Sequence, residues 1–284
     1  MRSIVLGLAL LVLAPLAQGQ EKGLWEKKLE DDASRESLTF SAREPNYILF
    51  TYMSSPNKAP YRDLIAQSSK NELDKAEIKF QLALQTKAAD NLFGGNGDLW
   101  FAYTQVSYWQ TFNNETGAFR ESNYEPEVYL SFLTDYKLLG LKLRTVDAGL
   151  VHQSNGRAGL PSARSWNRAF ANFMFVRGDF ALGFKPWVRF SEDAATDDNP
   201  DIENYLGHYE LRLLYAWKRQ IFSAMLRNIT SSEHRINSEL NWSFPIARRL
   251  RGLVQYYHGY GESLVDYNYN MNRIGIGVLL TDWL

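Results

Sequence analysis

An imidazole and a hydroxyl stand two residues apart in His152-Gln153-Ser154, within the run His152-Gln-Ser-Asn-Gly-Arg157. In a β-strand the side chains at i and i+2 share a face, so a histidine base and a serine nucleophile at this spacing lie side by side. A serine hydroxyl is a weak nucleophile until a base takes its proton, and the chemistry such a pair supports is acyl transfer. Counting back in twos from His152 gives Leu150, Ala148 and Val146, all apolar. The pair therefore sits on a greasy row, and a substrate that meets it there arrives from an apolar phase, as a lipid does.

Such a base needs a third group to fix its tautomer and ring orientation. Asn167 opens the next strand-like segment, and its own two-residue row continues as Ala169, Ala171, Phe173 and Phe175. A hairpin joining the two segments sets Asn167 beside His152 on the same face. A neutral amide there avoids placing a carboxylate against hydrocarbon, where charge is costly. Negative charge developing on an attacked carbonyl needs donors. The backbone amides around Ser154 to Gly156 are candidates, as is a cation held by the loop Arg157 to Arg164, since carbonyls and hydroxyls are hard oxygen ligands suited to Ca²⁺. The other three histidines read as bland. His208 shares an inward face with Glu210 and Arg212, His234 lies in a charged loop, and His258 beside Tyr256, Tyr257 and Tyr260 suits an interfacial girdle.

A lone His-x-Ser is a frequent accident, so its weight depends on the elements that carry it. Residues 1–19 read as a secretory signal: Arg2 is the basic start, Ile4 to Leu16 the apolar stretch, and Ala17-Gln18-Gly19 the small residues before cleavage. That stretch is shorter than the ~20 residues a membrane-spanning helix needs. The absence of cysteine excludes disulfides and thiolate metal sites. A net charge of −1 without basic blocks leaves no footprint for nucleic acid. Residues 20–45 form a polar leader, expected to be flexible or surface-bound.

From there on, period two dominates. Ile78, Phe80, Leu82 and Leu84 line one face against Glu77, Lys79, Gln81 and Gln85 on the other, and Ile274, Ile276, Val278 and Leu280 repeat the pattern near the C-terminus. Twelve segments qualify as strands, at 46–53, 76–86, 99–110, 126–136, 141–154, 165–177, 179–190, 207–217, 220–229, 237–244, 250–259 and 271–281. Most are about ten residues long, the length of a tilted membrane-crossing strand. Short and long connections alternate from the third strand on, as periplasmic turns and external loops do. A soluble β-sandwich also alternates, but the signal, the even strand number and the 14% aromatic content favour a barrel. The expected fold is all-β, a twelve-stranded antiparallel transmembrane β-barrel over residues 46–284. An even count puts both termini on the periplasmic side, so His152 and Ser154 lie near the external end of their strand, at the outer leaflet.

The wider segments carry a resemblance. His152-Gln-Ser-Asn-Gly-Arg157 followed by Ser165-Trp-Asn167-Arg168 resembles the active-site hairpin of the outer-membrane phospholipase A family. Tyr103-Thr-Gln105, Phe119-Arg-Glu, Asn123-Tyr-Glu-Pro126, Lys185-Pro-Trp187, Thr196-Asp-Asp-Asn-Pro-Asp-Ile202 and Gly259-Tyr-Gly-Glu-Ser-Leu-Val-Asp-Tyr-Asn268 match as well, so the likeness covers roughly residues 45–284. It implies a twelve-stranded barrel that hydrolyses acyl esters of phospholipids and lysophospholipids as a calcium-dependent homodimer in the outer membrane. Carried over residue by residue, it makes His152 the base, Ser154 the nucleophile and Asn167 the orienter. Calcium would be held by the Arg157 carbonyl, by Ser162, and by the partner copy's preceding long loop at the position of Thr116. The loop after Arg157 is one residue longer than the family pattern, so the second ligand position falls on Ser162 or on Ala163, which offers only its carbonyl. The β-branched Thr116 narrows the rotamers at the third, and the chain ends Asp282-Trp-Leu284 where barrel proteins commonly end in an aromatic residue. Gln105 falls on a position at the family's dimer interface, with an inward lumen residue as the alternative. Two other functions fit a barrel of this kind: a small porin or structural barrel with an inert His–Ser pair, and a lipid A deacylase.

Overall fold

The structure, a computed structural model, describes residues 22–66, 72–113, 119–248 and 250–283. The signal-like residues 1–19, Thr116 and Leu284 lie outside the described residues. Thirteen strands follow in order: β1 Phe40–Ala42, β2 Asn46–Met53, β3 Ala76–Ala89, β4 Asp98–Trp109, β5 Phe119–Leu138, β6 Leu141–Ser154, β7 Ser165–Arg177, β8 Phe180–Arg189, β9 Tyr209–Trp217, β10 Gln220–Arg227, β11 Asn237–Ala247, β12 Leu250–Gly259 and β13 Met271–Thr281. Each of β2 to β13 pairs antiparallel with its sequence neighbours, and β13 pairs back onto β2, so twelve strands close into a barrel. The short β1 continues the line of β2 along β3, Ala42 opposite Leu84 and Tyr47 opposite Gln81. Closure gives every strand two partners, which a membrane requires because its interior offers the backbone no water. No described helix is long and apolar enough to cross a bilayer; the crossing is made by strands.

The period-two pattern explains which face looks outward. Ile48, Phe50 and Tyr52 on β2, Phe101 on β4, Leu150 on β6, Val188 on β8 and Ile274 and Ile276 on β13 are exposed, while Glu77, Lys79, Lys87, Arg120, Arg168 and Arg273 are buried. The charges point into the lumen and pair there. Arg120 Nε donates to Glu77 Oε1 at 2.6 Å, Arg273 Nη1 to Glu77 Oε2 at 2.8 Å, and Arg273 Nε to Glu262 Oε2 at 2.8 Å. Elsewhere in the lumen, Glu210 accepts from Arg212 at 2.7 Å and from Arg227 at 2.6 Å. Connections on one side are short, except the Gly-rich link 90–97 between β3 and β4. Leu139 and Gly140 join β5 to β6 with φ of 51° and 79°, the backbone of a two-residue turn that matches strand twist. Those on the other side are long, among them 54–75, 155–164 and 260–270, as expected from the spacing.

One strand boundary is corrected and the reading of the leader is narrowed. β5 begins at Phe119 rather than at residue 126. The register shifts at Tyr108/Trp109, and Arg120, Glu121 and Asn123 are all buried in this stretch. Because its buried positions are polar, the segment shows no apolar alternation and reads as loop. Of the two forms expected of the leader, flexible or surface-bound, the structure has a bound one. Leu24–Ala33 forms a helix, α1, whose Trp25 is buried among Val176, Ala181, Leu214, Ala216 and Ile221 at the end of the barrel with short turns. Trp25 Nε1 donates to the Asp179 carbonyl at 2.8 Å, and Lys142 and Arg144 hold Glu26 and Glu30 at 2.9 Å each. One indole and three ion pairs anchor α1, a signature too sparse to stand out in a polar sequence. Trp25→Ala is expected to cost about 3 kcal/mol of this docking. It should expose residues 22–45 to limited proteolysis while the barrel core stays resistant.

Candidate active site

β6 and β7 form the hairpin that carries the sequence-predicted residues. Its register sets His152 opposite Asn167 and Ser154 opposite Ser165. His152 Nδ1 lies 2.9 Å from Asn167 Oδ1. An amide oxygen only accepts, so the pairing puts the proton on Nδ1 and leaves Nε2 as the basic nitrogen. His152 is exposed and Ser154 half-buried, on the outward row with Leu150 and Ala148, while Asp147, Val151 and Gln153 alternate inward. Imidazole and amide are therefore in contact at the external end of the hairpin, on the lipid side of the wall, and the Ser154 hydroxyl follows two residues on along the same outward row.

The loop after Ser154 is held by its own residues. Asn155, buried, donates from Nδ2 to the Ser162 carbonyl at 2.8 Å and accepts from the Arg164 amide at 3.0 Å, and its own N–H donates to the Arg164 carbonyl at 3.1 Å. That last bond commits the Asn155 amide and removes it from the candidate oxyanion donors, leaving those of Ser154 and Gly156. Gly156 has φ of 68°, and a Cβ there would stand 3.1 Å from the Tyr124 ring, so a larger residue would both strain the turn and press on β5.

The Arg157 side chain ties this loop to β5. Its guanidinium donates to the Arg120 carbonyl and, at 3.3 Å, to Ser162 Oγ, with Nε 3.5 Å from Glu121 Oε2. Of the calcium positions, the Arg157 carbonyl accepts the Leu160 amide at 3.1 Å, which leaves it one lone pair, and Ser162 Oγ is the acceptor just named. The Ala163 carbonyl takes a guanidinium N–H of Arg164 at 2.5 Å, so Ser162 is the less encumbered of the two. Arg157 and Ser162 present hard, neutral oxygens on one short loop, which fits a hard divalent cation that completes its shell with water and a second chain. Among the described residues no group of three His, Cys, Asp or Glu side chains could do the same. Spacing missed Glu121, a fully buried carboxylate that also accepts from Asn123 Nδ2 at 2.8 Å and the Val265 amide at 3.2 Å. Its only signal was membership of the matching Phe119-Arg-Glu stretch.

Gln105 faces outward, not into the lumen, since it pairs with the exposed Leu82. It accepts from Tyr103 Oη at 3.0 Å and donates to Ser107 Oγ at 3.1 Å, which in turn lies 2.8 Å from Ser122 Oγ. A polar ladder thus runs along a wall that otherwise faces hydrocarbon. His208 is another correction. It is exposed and lies 3.2 Å from Glu203 rather than in the lumen with Glu210 and Arg212, because Gly207, at φ 69°, ends the alternation before β9 starts. His234 is solvent-exposed, as read, and His258 lies on the outward face of β12.

A closed barrel with an apolar outside, an ion-paired lumen and alternating short and long connections is a transmembrane barrel of the outer-membrane class. The sequence profile of the family described as phospholipase A1 matches residues 24–280. A phospholipase A1 of Klebsiella pneumoniae is 41% identical over 241 residues, covering 84% of this chain and 81% of that one. Two solved structures superpose with TM-scores of 0.82 over 92% of this chain and all of theirs: the Salmonella typhi outer-membrane phospholipase dimer with bound calcium, at 36% identity, and an asparagine-to-alanine active-site mutant of outer-membrane phospholipase A from Escherichia coli, at 37%. The chain belongs to the phospholipase A1 family. It is an outer-membrane phospholipase, a hydrolase of acyl esters.

Proposed function

We propose that Ser154, His152 and Asn167 form the catalytic triad of this phospholipase and act on phospholipids and lysophospholipids displayed in the outer leaflet. The observation that carries the reading is the 2.9 Å contact between His152 and Asn167 on the lipid-facing side of the hairpin. Ser154 Oγ attacks the ester carbonyl carbon as its proton passes to His152 Nε2, and Asn167 Oδ1 holds the imidazolium in place. The Ser154 and Gly156 amides stand nearest to stabilise the oxyanion. When the tetrahedral intermediate collapses, the bond to the glycerol oxygen breaks and His152 returns the proton to that oxygen. Water then enters by the same route in reverse, His152 taking its proton, and frees the fatty acid.

Arg157, through its carbonyl, and Ser162 would hold calcium on the active-site loop, with the partner copy completing the shell from the region of Thr116. When bound, the ion supplies positive charge near the developing oxyanion. The calcium-bound dimer among the solved relatives supports this assembly, and the Tyr103–Gln105–Ser107 ladder supports a homodimer, since polar groups facing lipid gain from a polar partner.

The test is fatty-acid release in detergent micelles. Phosphatidylethanolamine and its lyso form should be cleaved and lipid A should not. Ion conductance without any release would favour the porin reading, and release from lipid A alone the deacylase. Asn167→Ala is expected to slow turnover by about 10- to 100-fold, less than the ~10⁴ seen on changing a carboxylate orienter to an amide. A neutral amide stabilises imidazolium less, so there is less to lose. Equal turnover in initial-rate assays would remove Asn167 from the triad.

A further inference from the structure

On the far side of the barrel the same side-chain pair occurs a second time. β12 and β13 lie six strands from β6 and β7 in the ring of twelve, whichever way it is counted, so the two hairpins stand diametrically opposed. In the second hairpin His258 is the register partner of Asn272, and His258 Nδ1 lies 2.8 Å from Asn272 Oδ1. Tyr256 Oη donates to that same oxygen at 3.1 Å. His258 is exposed, one residue from the external end of its strand, as His152 is two from the end of its own. The amide oxygen again puts the proton on Nδ1 and turns Nε2 outward as a fixed acceptor.

The rest of a hydrolytic site is missing from this hairpin. Position 260, two beyond the histidine, is a tyrosine, and its backbone N–H is held by Asn237 Oδ1 at 2.5 Å. The serine opposite His258 is Ser238, and its hydroxyl donates to the His258 backbone carbonyl at 3.4 Å, away from the ring. The pair is therefore built to bind rather than to cleave. Below it the outward rows are apolar and open: Leu240 and Trp242 on β11, Ile274 and Ile276 on β13, all between 41% and 59% exposed. These are the walls an acyl chain would follow. Two cations near the pair are engaged, Arg235 with Glu233 and the Tyr205 ring, Arg273 inside with Glu262. Neither is free for an anionic head group, whereas a head group that donates hydrogen bonds finds Nε2 and the face of the exposed Tyr256.

We propose that His258, Asn272 and Tyr256 form a non-catalytic lipid site at the outer leaflet, specific for a phospholipid with a primary ammonium head group. The ammonium donates to His258 Nε2 and packs on Tyr256, while one acyl chain lies against Ile274 and Ile276. Such a site would keep one phospholipid on the barrel wall farthest from the hydrolytic hairpin.

The experiment uses the full chain carrying Ser154→Ala to suppress hydrolysis. Native mass spectrometry counts lipid retained through detergent exchange from vesicles of phosphatidylethanolamine, phosphatidylcholine or phosphatidylglycerol. A hydrogen bond to a charged group is worth enough for about tenfold tighter retention of the first over the second, whose head group has no N–H. His258→Ala should bring the two to the same level, and Asn272→Ala should do so in part. His258→Ala made in the chain with Ser154 intact should keep normal phospholipase activity, which shows the barrel is folded. Equal retention of all three lipids, a preference for phosphatidylglycerol, or retention indifferent to His258→Ala would overturn the site. Fatty-acid release by the Ser154→Ala chain that is lost on adding Ser238→Ala would overturn its non-catalytic character.

Discussion

Ser154→Ala is expected to abolish fatty-acid release, lowering turnover by about 10⁴-fold or more, the scale seen when a serine hydrolase loses its nucleophile. The barrel should be untouched. Ser154 is half-buried at the end of β6, and the loop that follows is held by Asn155 and Arg157 rather than by the serine. The variant should therefore keep wild-type β-structure by circular dichroism and the slow electrophoretic unfolding of a closed barrel, while titrated fatty acid falls to background. Persisting hydrolysis in folded Ser154→Ala protein would place the chemistry elsewhere.

The second large effect is expected from chelation. In the proposed site Arg157 and Ser162 would contribute two neutral oxygens, far fewer than the six to eight that Ca²⁺ takes, so the ion would be bound weakly by one chain and exchange with solvent. Excess EDTA should then reduce turnover by about 10²-fold or more, as loss of a principal oxyanion stabiliser does, and added calcium should restore it. Chemical crosslinking in micelles should show the dimer fraction falling in parallel. Ser162→Ala should raise the calcium concentration needed for half-maximal rate without changing the circular dichroism of the barrel. Full turnover in chelator would remove the metal from the mechanism.

What could be read from the sequence follows from where periodicity and polarity agree. Twelve strands emerge because a barrel wall between lipid and a charged lumen enforces strict alternation, as in Ile78 to Gln85. The His152–Ser154 row stands out because a polar pair interrupts an apolar face. β5 is misjudged at its start because Arg120, Glu121 and Asn123 are buried through ion pairs and hydrogen bonds to Glu77, Asp266 and Leu264. Those partners lie far away in the chain, so no local window contains them. The same limit hides α1, anchored by Trp25 to strands more than a hundred residues on, and the Arg157–Glu121 contact that braces the active-site loop. The His258–Asn272 pair is a matter of register: the two are fourteen residues apart in sequence and meet across the 260–270 loop, whose bounds the strand pattern gives but whose cross-strand pairing it does not.

If Ser154 is a nucleophile activated by His152 on the lipid side of the barrel, it reacts with serine-directed electrophiles that carry an alkyl chain. Reaction with a long-chain alkyl sulfonyl fluoride, followed by peptide mass spectrometry, tests it most directly. The expected result is one sulfonyl adduct per chain, on the peptide containing Ser154, formed in step with loss of turnover and prevented by His152→Ala. Inactivation with the adduct on another serine, or full labelling of Ser154 in the His152→Ala protein, would contradict it.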